Sequence, residues 1–180
     1  MLGDTFPLNQ YPSITLTPPQ IESGRFQAAQ RDADSRRFGW QDSRGLTSNQ
    51  SQYSLLGSLA EVAAHVYLKL PFSYSINKPH EADLITNAGT SFDVKCAQGV
   101  HLVYVPQEHC QRGHNFIFAH SPDSETFYFL GYLANSEVGK YTLQNPGGRL
   151  NRDGSPALCY VIPTYDLHPV PQGRTLTTLN

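Results

Sequence analysis

The segment Glu81-Ala-Asp-Leu-Ile-Thr-Asn-Ala-Gly-Thr-Ser-Phe-Asp-Val-Lys-Cys96 decides how this chain is read. Asn87-Ala88-Gly89 makes a three-residue hairpin loop, with Gly89 supplying the positive φ that other residues avoid. Pairing Thr86 with Thr90 sets Asp83 directly opposite Asp93, with Cα atoms about 4.5–5.5 Å apart. Side chains alternate along a strand, so Asp93 and Lys95 share one face. Phe92, Val94 and Cys96 share the other, which is apolar and core-facing. Two carboxylates and an amine thus converge on one side of a two-stranded ribbon. Like charges that face each other across a sheet repel, and a hard divalent cation is the usual compensation. The expected ligands are Asp93, Asp83 and the backbone carbonyl of Val94. Lys95, a compact charge on a flexible stem, suits a phosphate oxygen or an attacking water.

Upstream, residues 52–70 read as the clearest helix. Leu55, Leu56, Leu59, Val62, Ala63 and Val66 recur at helical spacing and form a core stripe. Gly57, Ala60 and Ala64 keep the helix slim, and Pro71 is expected to end it. A polar edge of Ser54, Ser58, Glu61 and His65 runs beside the stripe, so Glu61 can face the ribbon from the helix.

A helix acid, then Asp, a hairpin and Asp-X-Lys resembles the PD-(D/E)XK nuclease superfamily, small phage-encoded members in particular. Leu55-Leu-Gly-Ser-Leu-Ala-Glu61 also looks like the first-helix pattern of such members. The resemblance covers about residues 52–100 and departs from the motif at Ala82, where the family name has proline. It implies a restriction-endonuclease-like fold and a metal-dependent hydrolysis of phosphodiester bonds in DNA. On it, Glu61, Asp83 and Asp93 would hold Mg²⁺ or Mn²⁺. Lys95 would assist the phosphate or the nucleophilic water, and Gln98 would be a further polar residue of the site. Many relatives act as homodimers. The competing expectation is a binding or accessory protein, also phage-like, that keeps the nuclease fold without catalysis.

The rest of the sequence frames these expectations. The 180 residues suit one domain, with residues 1–17 as an extended arm, 52–133 as the catalytic core and 170–180 as a tail. Hydrophobic residues at 39% suffice for one core, and no apolar run reaches the roughly 20 residues of a membrane span. The start of the chain does not read as a secretory signal. Three widely spaced cysteines (Cys96, Cys110, Cys159) make a disulfide framework improbable, so a cytoplasmic setting is expected. The net charge of −2 hides an uneven spread. Residues 61–138 carry eight acids against four bases, which bound cations would offset.

A helix from about Pro19 to Phe38, capped by Thr17 and kinked near Gly24, is expected to present Arg25, Arg31, Arg36 and Arg37 on a polar face. That face suits a phosphate backbone, although Asp32 and Asp34 interleave it. Residues 42–51 read as a loop. Strands are expected at 72–76, 82–86, 91–97, 100–105, 115–120, 127–133 and 157–162, with one helical turn between 105 and 114. The predicted class is α+β (mixed α/β), a central mixed sheet flanked by helices.

Weaker signals have simpler readings. His109, Cys110 and His114 offer zinc ligands, but a fourth at fixed spacing is missing unless His101 or Cys96 reaches. His65, His80 and Glu81 lie near the site as neighbours. Ser58 has no accompanying base, so it reads as a packing residue rather than a nucleophile. Lys140, Arg149 and Arg152 flank a Pro-Gly-Gly loop that suits DNA or plain solvent. Tyr128 and Tyr132 read as core strand residues.

Overall fold

The structure, a computed structural model, describes residues 7–37, 50–71, 81–146, 148, 150–151 and 153–171. The expected strand at 72–76, the loop at 42–49, His80, Arg149, Arg152, the side chain of Arg36 and most of the tail lie outside them. In chain order the principal elements are β1 (Ser13–Thr15), α1 (Pro18–Arg37), α2 (Gln50–Tyr67), β2 (Leu84–Ile85), β3 (Ser91–Ala97), β4 (Leu102–Pro106), α3 (Gln107–Cys110), β5 (Asn115–His120), β6 (Thr126–Leu133), α4 (Asn135–Val138), β7 (Leu143–Gln144) and β8 (Cys159–Pro163).

A five-stranded sheet runs in the order β1-β6-β5-β3-β2, and a three-stranded sheet in the order β4-β8-β7. The larger sheet is mixed, because β3 and β5 are parallel while its other pairs are antiparallel. The expected α+β class with a mixed sheet flanked by helices is what forms. The second sheet, however, was not foreseen. It covers the face of the main sheet that the helices leave open.

Two cores result. Leu59, Val62 and Ala63 of α2 pack with Phe92, Val94, Ile117, Phe127 and Phe129 on one face. On the other face Phe116, Phe118, Leu130 and Leu133 meet Val103, Val105 and Ile162 of the small sheet. β3 and β5 are therefore buried on both faces, which is why β5 reads Asn-Phe-Ile-Phe-Ala-His with no polar residue between its ends.

Several local expectations change. Gly24 does not interrupt α1, which runs unbroken for 20 residues. The glycine instead lets α1 lie close on α2, because a Cβ there would come within 2.6 Å of Leu59 Cδ2. Thr17 starts the helix as expected, its N–H donating to Gln20 Oε1 at 2.8 Å. α2 ends before Pro71 acts. Lys69 turns left-handed (φ 54°), and Leu70 and Lys69 donate back to His65 and Val66 carbonyls in a Schellman arrangement. Residues 7–17 dock on the domain: β1 pairs with β6, and Leu16 is buried in the first core.

A bulge in β6 slips its register against β5 between Phe118 and Ala119. Before the bulge, Phe127 and Phe129 face the helices; after it, Leu133 faces the small sheet. Gly131 makes the slip possible, with φ +150° and Leu167 and His168 passing directly over it. A Cβ there would lie 2.5 Å from Leu167 Cβ and 2.8 Å from the His168 carbonyl oxygen. Gly131→Ala should therefore cost about 3 kcal/mol or more, combining backbone strain with a clash against backbone that cannot yield. A shift of the urea midpoint with an unchanged slope would measure it; wild-type stability in this variant would refute the account of the bulge.

Candidate functional site

The hairpin forms in the expected register. Leu84 pairs with Phe92 and Ile85 with Ser91. Thr86 N–H donates to Thr90 O at 2.9 Å, and Gly89 takes φ 83°. The ladder ends there: Asp83 N–H donates to Phe92 O at 3.0 Å, so the expected backbone pairing of Asp83 with Asp93 does not form, and the two acids meet through their side chains instead. β2 supplies only two ladder residues, so β3 has no strand partner on that side from Asp93 onward among the described residues. Asp83 fills the gap with its side chain: its Oδ2 accepts from Val94 N–H at 2.7 Å. The N–H and C=O of one strand residue point to the same side, so the Val94 carbonyl opens onto the same edge.

Asp93 is buried, at 5% exposure. Its Oδ2 lies 2.7 Å from Lys95 Nζ and 3.0 Å from His109 Nδ1. Lys95 Nζ is also 3.0 Å from that ring nitrogen, so Nδ1 either donates to Asp93 or accepts from Lys95. Asp93 and Lys95 share a face, as expected, but the face is not open. It belongs to the second core, and α3 brings His109 across it.

The two facing carboxyl groups divide their charge unequally. Burial, aided by the negative charges of Glu61 and Asp93, pushes Asp83 well above the usual carboxylate range. Burial would raise Asp93 as well, but hydrogen bonding from His109 and the charge of Lys95 outweigh it and hold Asp93 low. A hydrogen bond joins the two groups, so the shared proton resides on Asp83. Burial also keeps His109 below the ordinary imidazole value, which favours the neutral ring.

Glu61 lies at 5% exposure on α2 and belongs to the same charge cluster, since it acts on the titration of Asp83. It is fully engaged from α1. Arg31 donates to Oε1 at 2.6 Å and to Oε2 at 2.7 Å, and Gln27 Nε2 donates to Oε2 at 2.9 Å. Arg31 also feels the charges of Asp83 and Asp93; burial lowers its proton affinity, but the acids reverse that. Arg31 is thus not part of a solvent-facing arginine row. It shares a sequence spacing with Arg25, Arg36 and Arg37, of which Arg25 and Arg37 are exposed. Its spacing from Gln27, beside the buried Gly24 and Ala28, was the signal that it turns inward.

Hard oxygen donors suit Mg²⁺ or Mn²⁺, and Asp83, Asp93, Glu61 and the Val94 carbonyl are donors of that kind. Among the described residues, however, no three His, Cys, Asp or Glu side chains already form a metal-holding group. The acids are instead cancelled by Arg31, Lys95 and a shared proton. Carboxylate and carbonyl oxygens are the donors that Mg²⁺ prefers, so the donor chemistry fits.

The other candidates separate. His65 Nε2 contacts the Asp83 carbonyl oxygen at 3.1 Å and so supports the end of β2. His114 Nδ1 contacts Ser91 Oγ at 2.9 Å while His109 faces Asp93, so His109, Cys110 and His114 do not converge as a zinc site would require. Ser58 is fully buried with its hydroxyl unpartnered, in keeping with a packing role. Gln98 is not at the acids; it lines a cavity of about 320 Å³ with Tyr53, Cys96 and His120 near the far end of β3. Burial pushes the Cys96 thiol there up to about 11, leaving it protonated. Lys140 is held by Glu137 at 3.0 Å, and no described helix is long and apolar enough to cross a membrane. No family model, curated protein or solved structure matches this chain.

Asp83 and Asp93 should respond oppositely to neutralisation. The raised group stabilises the fold fully below its unfolded value near 3.8 and loses that contribution as pH rises through its folded value. At neutral pH without divalent metal, Asp83→Asn should be more stable than wild type, by about 1 kcal/mol or more. That gap should close as pH falls toward 4. Asp93→Asn should be less stable than wild type at neutral pH, because a depressed carboxylate contributes stability above its unfolded value. Urea titrations from pH 4 to 8 in a chelator check both signs.

Proposed function

We propose that this protein is a metal-dependent nuclease with a restriction-endonuclease-like core, hydrolysing phosphodiester bonds in DNA. One observation carries the reading: the Asp83 carboxyl meets Asp93 at the edge of β3, and Lys95 Nζ lies 2.7 Å from Asp93, with Glu61 in the same charge cluster. Asp83, Asp93, Glu61 and the Val94 carbonyl would hold Mg²⁺ or Mn²⁺. When bound, the ion polarises the phosphate and lowers the pKa of a water.

The chain's own residues do the remaining work. Asp93, fixed by Lys95 and His109, keeps its carboxylate oriented without a search through rotamers. Asp83 gives up its proton when a cation replaces it. Lys95 Nζ, already at the site, donates to a phosphate oxygen or holds the attacking water. His109 orients Asp93 from α3, so it is a positioning residue, one that the sequence reading assigned to zinc or to a plain loop.

A second reading has its own support. The acids are balanced internally by Arg31, Lys95 and a proton, the condition expected of an accessory protein that keeps the fold and binds nucleic acid without cutting it. Incubation with Mg²⁺ or Mn²⁺ and linear, circular, branched or single-stranded DNA, with RNA as a control, separates the two. The nuclease reading expects cleavage of a DNA that falls by about 10²-fold or more in Asp93→Ala and Lys95→Ala. Absence of cleavage on every substrate, with DNA binding unchanged in these variants, would establish the accessory role instead.

A further inference from the structure

We propose that Arg31 is the resident cation of the acid site, a tethered guanidinium that a divalent metal must displace from Glu61 in order to bind. The inference rests on the reading of Glu61, Asp83 and Asp93 as metal ligands.

Glu61 is a buried carboxylate on a helix, and such a group persists only with a partner. Its partner comes from α1, outside the hairpin and helix that carry the other site residues. Arg31 takes both oxygens in the fork geometry that guanidinium offers a carboxylate, at 2.6 and 2.7 Å. Gln27, one turn earlier on α1, adds a neutral donor at 2.9 Å. Arg31 therefore holds on Glu61 the place that a cation would take.

With both cations on Glu61, each would repel the other. A Mg²⁺ ion binds oxygen at about 2.0–2.1 Å. A guanidinium nitrogen 2.6 Å from the same oxygen would meet that ion at close range with like charge. Release need not disturb the fold. The Arg31 side chain is 25% exposed while that of Glu61 is 6% exposed, so the guanidinium has a path outward and the acid does not. α1 can stay on α2 through Gly24 and Ala28 while one long side chain rotates. Gln27 carries no charge and can remain.

Calorimetric titration of Mn²⁺ into the full chain, paired with thermal melting with and without Mn²⁺, tests this. Arg31→Met keeps the length and removes the charge. It should bind Mn²⁺ about tenfold more tightly or better, melt below wild type in chelator and show a larger Mn²⁺-induced rise. Arg31→Lys, which keeps charge but loses the fork, should fall between. Should Arg31→Met fold only with Mn²⁺ present, that dependence supports the exchange, and the affinity is read from Arg31→Lys. If wild type binds Mn²⁺ and Arg31→Met binds it equally or more weakly, Arg31 is a structural clamp, and the metal site stands without it. If neither takes up more Mn²⁺ than a Glu61/Asp83/Asp93 triple-alanine variant, the metal reading falls and the exchange falls with it. Uptake by Arg31→Met alone would mean that Arg31 blocks the site.

Discussion

Two carboxyl groups side by side at a buried sheet edge must share a proton, find cations, or both. Asp83 and Asp93 do both. The proton rests on Asp83, which accepts from the Val94 amide, while Asp93 stays charged between Lys95 and His109. The arrangement follows from the hairpin register, and the register follows from a three-residue turn closed at Gly89. Each later feature of the site answers the repulsion that this meeting creates. Arg31 extends the answer to Glu61, so the acids are held by one cation from β3 itself, Lys95, and one from α1, Arg31.

Burial is what gives these charges their leverage. β3 lies inside the sheet with apolar layers on both faces, so Asp93 cannot rely on water. β2 is too short to cover the whole edge of β3, and that incompleteness leaves a place where Asp83 and the Val94 carbonyl meet. A longer β2 would pair the Val94 amide with backbone and close the edge. The short strand is therefore the structural condition for a site here, whether it holds a metal or only its own cations.

The parallel pairing of β3 and β5 sends the chain through β4 and α3 between them. This crossover puts His109 over the Asp93–Lys95 face. It also starts the small sheet that closes the second core. His109 thus reaches the acids as a by-product of topology. No spacing between residue 93 and residue 109 announces it.

What could be read from the residues alone were patterns of short range. The hairpin, its register, the helix bearing Glu61, and strands β3 and β5 were legible because turn chemistry and side-chain periodicity act over a few residues. The approach of Asp83 to Asp93 and the proximity of Lys95 come from that same local rule. The close approach at Gly24 and the docking of the residues before Thr17 were not legible, because a glycine in a helix and an extended stretch show no partner in their own sequence. Leu59 and β6 are those partners, distant in sequence. The second sheet, the bulge at Gly131, and the engagement of Glu61 by Arg31 and Gln27 were decided only by tertiary structure. A buried charge takes whichever counter-charge the packing of α1 on α2 carries to it, and that choice depends on distances in space that no local pattern encodes.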